Sequence, residues 1–145
     1  MRISKHFTLP EFTKSATAAR RGLSNIPEPE HLANLKALAI GLEQVRRLLG
    51  DQPLEITSGY RSPLVNRAVG GVSTSAHALG HAADFAHPEM TPLEVCRAIE
   101  KSVLAFDQLI HEPSRGITHI SFDPRLRREV KTQEGGTGSP VRWGL

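Results

Sequence analysis

Between residues 29 and 50 the apolar positions recur at three- and four-residue intervals: Leu32, Leu35, Leu38, Leu42, Val45 and Leu49. This spacing predicts one amphipathic helix, opened by Pro27 and Pro29 and closed by Gly50. "PLEIT" (53–57) then reads as a short strand ending at Ser58-Gly59. Ser62 and Pro63 form an N-cap and first-turn pair for a brief helix through Val69. "GGVSTS" is a loop, and "AADFA" (82–86) has the small, apolar character of a buried strand. Thr91 with Glu94 makes a capping box for a helix to about Ser102. "AFDQLIHE" (105–112) and "GITHISFD" (116–123) read as two strands of a hairpin joined by Pro113-Ser114-Arg115. The glycine-rich "TQEGGTGSPVRWGL" that follows is expected to be irregular. Together these elements predict an α+β fold, a small and mainly antiparallel sheet flanked by helices. Residues 1–130 are read as one domain and residues 131–145 as its C-terminal tail.

The length of 145 residues suits a single core. A net charge of +3 and a pI near 9.4 favour an anionic partner: nucleic acid, a membrane surface or a bacterial cell wall. "RLRREVK" (125–131) reads as a solvated basic face. It lacks the interleaved aromatics that base stacking requires, so nucleic acid is not an expected partner. No apolar run is long enough to span a bilayer, and no integral membrane segment is expected. "MRISKHFTLPEF" lacks the features of a signal peptide, so synthesis and folding in a cytoplasm are expected. Cys96 is the single cysteine; its place in "PLEVCRAIE" predicts a buried, structural thiol.

Candidate chemistry begins at "STSAHALGHAADF" (73–85), where His77 and His81 stand four residues apart. On one helix they would share a face, as in the H-E-x-x-H zinc motif. Ala78 occupies the position of that motif's glutamate, and Gly80 disfavours a helix through the pair. The alternative pairs His77, at a turn, with Asp84 on the following strand, Gly80 reversing the chain between them. A third ligand is needed, because a catalytic zinc keeps three protein ligands and one open position. His119 is the candidate: strand alternation sets Thr118, Ile120 and Phe122 on one face and His119 with Ser121 on the other.

Three segments in order, "ITSGYRSPLVNRAVGG", "SAHALGHAADF" and "FDQLIHE…THISF", resemble the zinc D-Ala-D-Ala carboxypeptidase family of peptidoglycan peptidases. That fold is shared with lysostaphin-type enzymes and the hedgehog signalling domain. Ser75, His77, Gly80, Ala82 and Asp84 fill the family pattern S-x-H-x-x-G-x-A-x-D in register. The resemblance spans about residues 5–123 and implies a hedgehog/DD-peptidase-like fold, with Zn2+ held by His77, Asp84 and His119. His81 falls at a variable position, a bystander near the cleft. Relatives carry the general base either three residues before the last histidine, here Gly116, or at the end of the preceding strand, here Glu112. Glu112 is therefore the implied base, with Asp107 as runner-up. Arg61 matches the arginine that faces substrate, and Ser58, Tyr60, Asn66 and Ser75 are implied to shape the substrate pocket. Some relatives carry a histidine two positions before the last ligand; Ile117 stands there, which places more of the transition-state stabilisation on Arg61 and the metal.

The resemblance implies a zinc metallopeptidase acting on the peptide stem of peptidoglycan, as a DD-carboxypeptidase or an endopeptidase. A monomer is expected. A small basic chain of this kind resembles bacteriophage endolysins, made in the host cytoplasm and acting on the wall after the membrane is breached. Two rivals stand beside it: a hedgehog-like domain that keeps its zinc and acts by binding alone, and a phage structural protein.

Overall fold

The computed structural model describes residues 1–136 and 138–145; Thr137, in the expected tail, lies outside the described residues. The long predicted helix is α3, Pro29–Leu48. It turns Leu35, Leu38, Leu42 and Val45 into the core and leaves Leu32 half-buried. Each such side chain taken out of water contributes about 1.5–3 kcal/mol. Two short helices precede it: α1 (Leu9–Thr13) and α2 (Ala16–Arg21). The spacing of apolar residues is too short there to reveal a helix, but the caps are legible. Glu11 accepts from the backbone N–H and the hydroxyl of Thr8, and Ser15 accepts from the Ala18 N–H. Phe12 of α1 is fully buried.

Next come β1 (Glu55–Ser58), α4 (Pro63–Ala68, capped by Ser62), the one-turn α5 (Ala76–Leu79) and β2 (Ala82–Ala86). Helix α6 (Pro92–Lys101) starts on the predicted box of Thr91 and Glu94. The hairpin β3 (Gln108–Glu112) and β4 (Ile117–Ser121) is joined by a 3-10 turn over Pro113–Arg115. Both hairpin strands are shorter than the sequence suggested: their pairing ends at Gln108 and Ser121, and Phe122 turns its N–H to the His81 carbonyl instead.

The sheet runs β1-β2-β4-β3-β5-β6, where β5 is Glu129–Thr132 and β6 is Arg142–Trp143. All neighbours are antiparallel except β3 and β5. The expected mainly antiparallel α+β fold is present. One expectation fails. The C-terminal stretch supplies the edge strand β6, and Gly144 donates to the Val130 carbonyl. The basic run is exposed from Arg125 to Arg128, as expected, and two of its arginines also make specific contacts: Arg127 forks onto both carboxylate oxygens of Asp107 at 2.9 Å, and the Arg128 guanidinium lies 4.6 Å from the Phe106 ring centre.

Strand alternation divides the sheet into two faces. Ile56, Ala83, Phe85, Leu109 and Ile120 join the core with α3 and α6. Asp84, His119 and Ile110 are paired across adjacent strands, so their side chains share the opposite face, and Glu112, two residues beyond Ile110, shares it as well.

Candidate metal centre

His77 is set by a short, heavily specified turn. The Ser75 hydroxyl accepts from the His77 N–H, and Gly80 closes the turn at φ +80°. A Cβ there would lie 2.8 Å from the His31 carbonyl oxygen, so glycine serves both the left-handed backbone and the close approach. The imidazole Nδ1 lies 2.7 Å from the Gly59 carbonyl oxygen. A carbonyl only accepts, so Nδ1 carries a proton and Nε2 is the nitrogen turned toward the cluster. Nε2 lies 3.3 Å from Oδ1 of Asp84.

Asp84 and His119 are directly paired on β2 and β4. Nδ1 of His119 lies 2.9 Å from the same Oδ1 of Asp84, and the two imidazole rings stand 5.1 Å apart, edge to face. Burial alone would raise the Asp84 carboxyl, but the charge and hydrogen bonds of His77 and His119 outweigh it and hold the group well below the ordinary carboxylate range. All three residues are buried, and a ligand atom from each lies within 4.8 Å of the others. Among the described residues this is the one group of three or more such ligands that converges in this way. Two imidazoles and a carboxylate, one imidazole locked by a backbone carbonyl behind it, are the donor set of a zinc site with an open position. The residues present therefore fit such an ion.

Glu112 is buried at the end of β3 and paired with Ile117, one step along the face from His119. Its Oε1 accepts from Nη1 of Arg115 at 3.0 Å, and Nη2 of the same guanidinium lies 3.5 Å from Oδ2 of Asp84. Arg61, half-buried, donates through Nη2 to the Ser75 hydroxyl, while its buried Nε has no partner among the described residues. Burial pulls its guanidinium below the usual value; Asp84 opposes this and Arg115 adds to it. Two arginines thus approach the cluster, of which the sequence pointed to one. Arg115 had a signal, its place three residues after Glu112 across a turn, but nothing in that spacing reveals that the turn folds over Asp84.

The other candidates occupy distinct places. Ser58 is the backbone partner of Asp84, beyond a bulge at Thr57. Tyr60 is buried in the core, its hydroxyl 3.0 Å from Nδ1 of His31. Asn66 is buried, donating to the Val72 carbonyl, with its Oδ1 unpartnered among the described residues. Asp107 is held by Arg127, whose hydrogen bonds keep its carboxyl below the usual range. His81, half-buried, is not in the cluster. Cys96 is fully buried against Thr118, and burial pushes its thiol up to about 12.

A model of the peptidase M15 family matches residues 5–121. A 44-residue stretch is 46% identical to the zinc D-Ala-D-Ala carboxypeptidase of Streptomyces albus G. That stretch is 30% of this chain and spans 17% of the length of the relative.

Proposed function

Because the chain belongs to the peptidase M15 family, we propose that it hydrolyses peptide bonds in the stem peptide of peptidoglycan, with zinc held by His77, Asp84 and His119. The observation that carries this reading is the convergence of those three buried side chains, with the Gly59 carbonyl holding Nδ1 of His77 and leaving its Nε2 toward the others. The partly matched carboxypeptidase supports both the metal and the substrate class.

Zinc in such a site supplies a Lewis acid for the scissile carbonyl and lowers the pKa of a water molecule to about 7. The remaining steps fall to side chains. Glu112, an acceptor on the same face of the sheet, takes the proton of the attacking water and returns it to the leaving amine. Arg61 donates through its guanidinium to a substrate carboxylate or to the carbonyl oxygen as negative charge develops there. Ser75 restrains that guanidinium, and Ser58 and Asn66 lie on the segments that flank it; Tyr60 supports the same loop from the core.

The basic charge of the chain suits a polyanionic wall, and a bacteriophage lytic enzyme is the setting we propose. The test is digestion of purified muropeptides by the zinc-loaded protein, read by mass spectrometry. Loss of a terminal D-Ala identifies a carboxypeptidase and internal cleavage an endopeptidase, and either should vanish on chelation. Muropeptides left intact by the zinc-loaded protein overturn the reading. Lysis of cells with permeabilised outer membranes tests the lytic role separately.

A further inference from the structure

A three-ligand metal centre hydrolyses only while its remaining position is free. Two carboxylate oxygens threaten that position here. Oδ2 of Asp84 shares its carboxylate with Oδ1, the atom that already faces both imidazoles, and Glu112 is the next buried carboxylate along the same face. Either could close the site, and a buried carboxylate without a partner is costly, which gives each a reason to do so.

We propose that Arg115 is the positioning residue that keeps this centre open, its guanidinium occupying Oδ2 of Asp84 and Oε1 of Glu112 so that Oδ1 of Asp84 alone faces the imidazoles. The distances are 3.5 Å to Asp84 and 3.0 Å to Glu112, from two nitrogens of one planar group. Such a bridge requires the fork of an arginine, because an ammonium is a point charge that cannot hold two separate carboxylates in fixed directions. The hairpin turn delivers it. Pro113–Arg115 forms a single 3-10 turn, Gly116 closes it at φ +65°, and Arg115 is thereby swung back over Glu112 three residues earlier. The Arg115 side chain is 38% exposed while the two carboxylates beneath it are nearly fully buried. It therefore caps the site from the solvent side. Arg61 does not do the same work: its contact is with Ser75. Each carboxylate is thus assigned one task, Asp84 as a ligand through one oxygen and Glu112 as a base held off the metal.

This inference rests on the metal reading above, and cobalt(II) separates the two, because its visible spectrum reports coordination number without any turnover. The wild-type protein loaded with cobalt should change its spectrum when azide is added, the anion entering the open position. In Arg115→Ala the spectrum should differ before azide and respond weakly or not at all. Its kcat on muropeptides should fall about 10- to 100-fold, with KM within about a factor of two. Arg115→Lys keeps the charge without the fork; it should fold even where the alanine variant does not, and still lack the full azide response. A wild-type protein that takes up no cobalt overturns the metal reading and this inference with it. A wild-type protein that takes up cobalt, with Arg115 variants that match its spectrum and azide response, overturns this inference alone.

Discussion

Nδ1 of His77 donates to the backbone carbonyl of Gly59 across 2.7 Å, and this bond ties the proposed metal centre to the N-terminal helix α1. Gly59 itself presses on that helix: a Cβ at its position would lie 2.6 Å from the Phe12 carbonyl oxygen and 2.8 Å from the Phe12 Cα. The next residue, Tyr60, donates its N–H to the same Phe12 carbonyl. Orientation of the proposed ligand His77 thus depends on the close approach of Gly59, 18 residues away in sequence, to the backbone of α1.

Gly59→Ala is accordingly expected to act on the metal without touching it. The added methyl must displace either the backbone of α1 or the carbonyl that holds His77. Overpacking of this kind costs about 1–3 kcal/mol, and disturbing the partner behind a ligating histidine weakens metal binding about 10- to 100-fold. Thermal unfolding and zinc titration against a chelator measure the two effects. A variant of normal zinc affinity would mean that the His77–Gly59 bond does not orient the ligand.

His77 and His81 should respond in opposite ways to replacement. Gly80 in its left-handed conformation ends α5 between them, so the two rings do not share a helical face, and His77 alone joins Asp84 and His119. His77→Ala should abolish stoichiometric zinc binding. His81→Ala should leave it intact, as measured by metal analysis after dialysis; zinc lost from the second variant would contradict the cluster as drawn.

Asp107 is expected to serve the fold and not the chemistry. Arg127 holds both its oxygens, and those hydrogen bonds depress its carboxyl pKa. A group with a lowered folded-state pKa contributes stability that is fully present above the unfolded value, about 4, and is lost as pH falls through the folded value. The melting temperature of Asp107→Asn should therefore lie below that of the wild type at neutral pH, and the gap should narrow below about pH 4. Zinc affinity should not change. A gap constant from pH 7 to pH 3 would show that the ion pair is not its source.

Cys96 should be chemically silent. It is fully enclosed by the core, and its thiol is pushed up to about 12 by burial, so almost no thiolate exists at pH 8. Iodoacetamide at that pH should leave the native protein unmodified and label it once in denaturant, by intact mass. Rapid labelling of the native protein would place the thiol at the surface.

The long helix, the hairpin and the proximity of His77 to Asp84 were legible in the sequence because each is written locally, whereas His119, 35 residues from Asp84, joined them only through the resemblance of three ordered segments. Leu35 to Val45 keep a helical period, Pro113 to Gly116 spell a turn, and His77 and Asp84 sit seven residues apart across a glycine. What was not legible depends on chain segments meeting from far apart. The parallel pairing of β3 with β5 joins Gln108 to Glu129, and nothing in "RLRREVK" announces it. The edge strand β6 is two residues long and contains no periodicity to read. Arg115 looked like turn punctuation because its partner Asp84 is 31 residues away. The role of Gly59 lies in its carbonyl and its missing Cβ, neither of which a motif of side chains records.

Glu112→Gln gives the sharpest test of the division of labour at the centre. The substitution keeps size and keeps an oxygen at the position where Arg115 donates, so the bridge to Asp84 should survive. It removes the capacity to accept a proton at neutral pH. Turnover should fall about 10²- to 10⁴-fold, while bound zinc and melting temperature stay near the wild-type values. Glu112→Asp, which restores a carboxylate one methylene short, should recover part of the rate. If Glu112→Gln instead lost its zinc, Glu112 would be a fourth ligand and not a base. If it retained full activity, the proton would have to pass through another group on that face of the sheet.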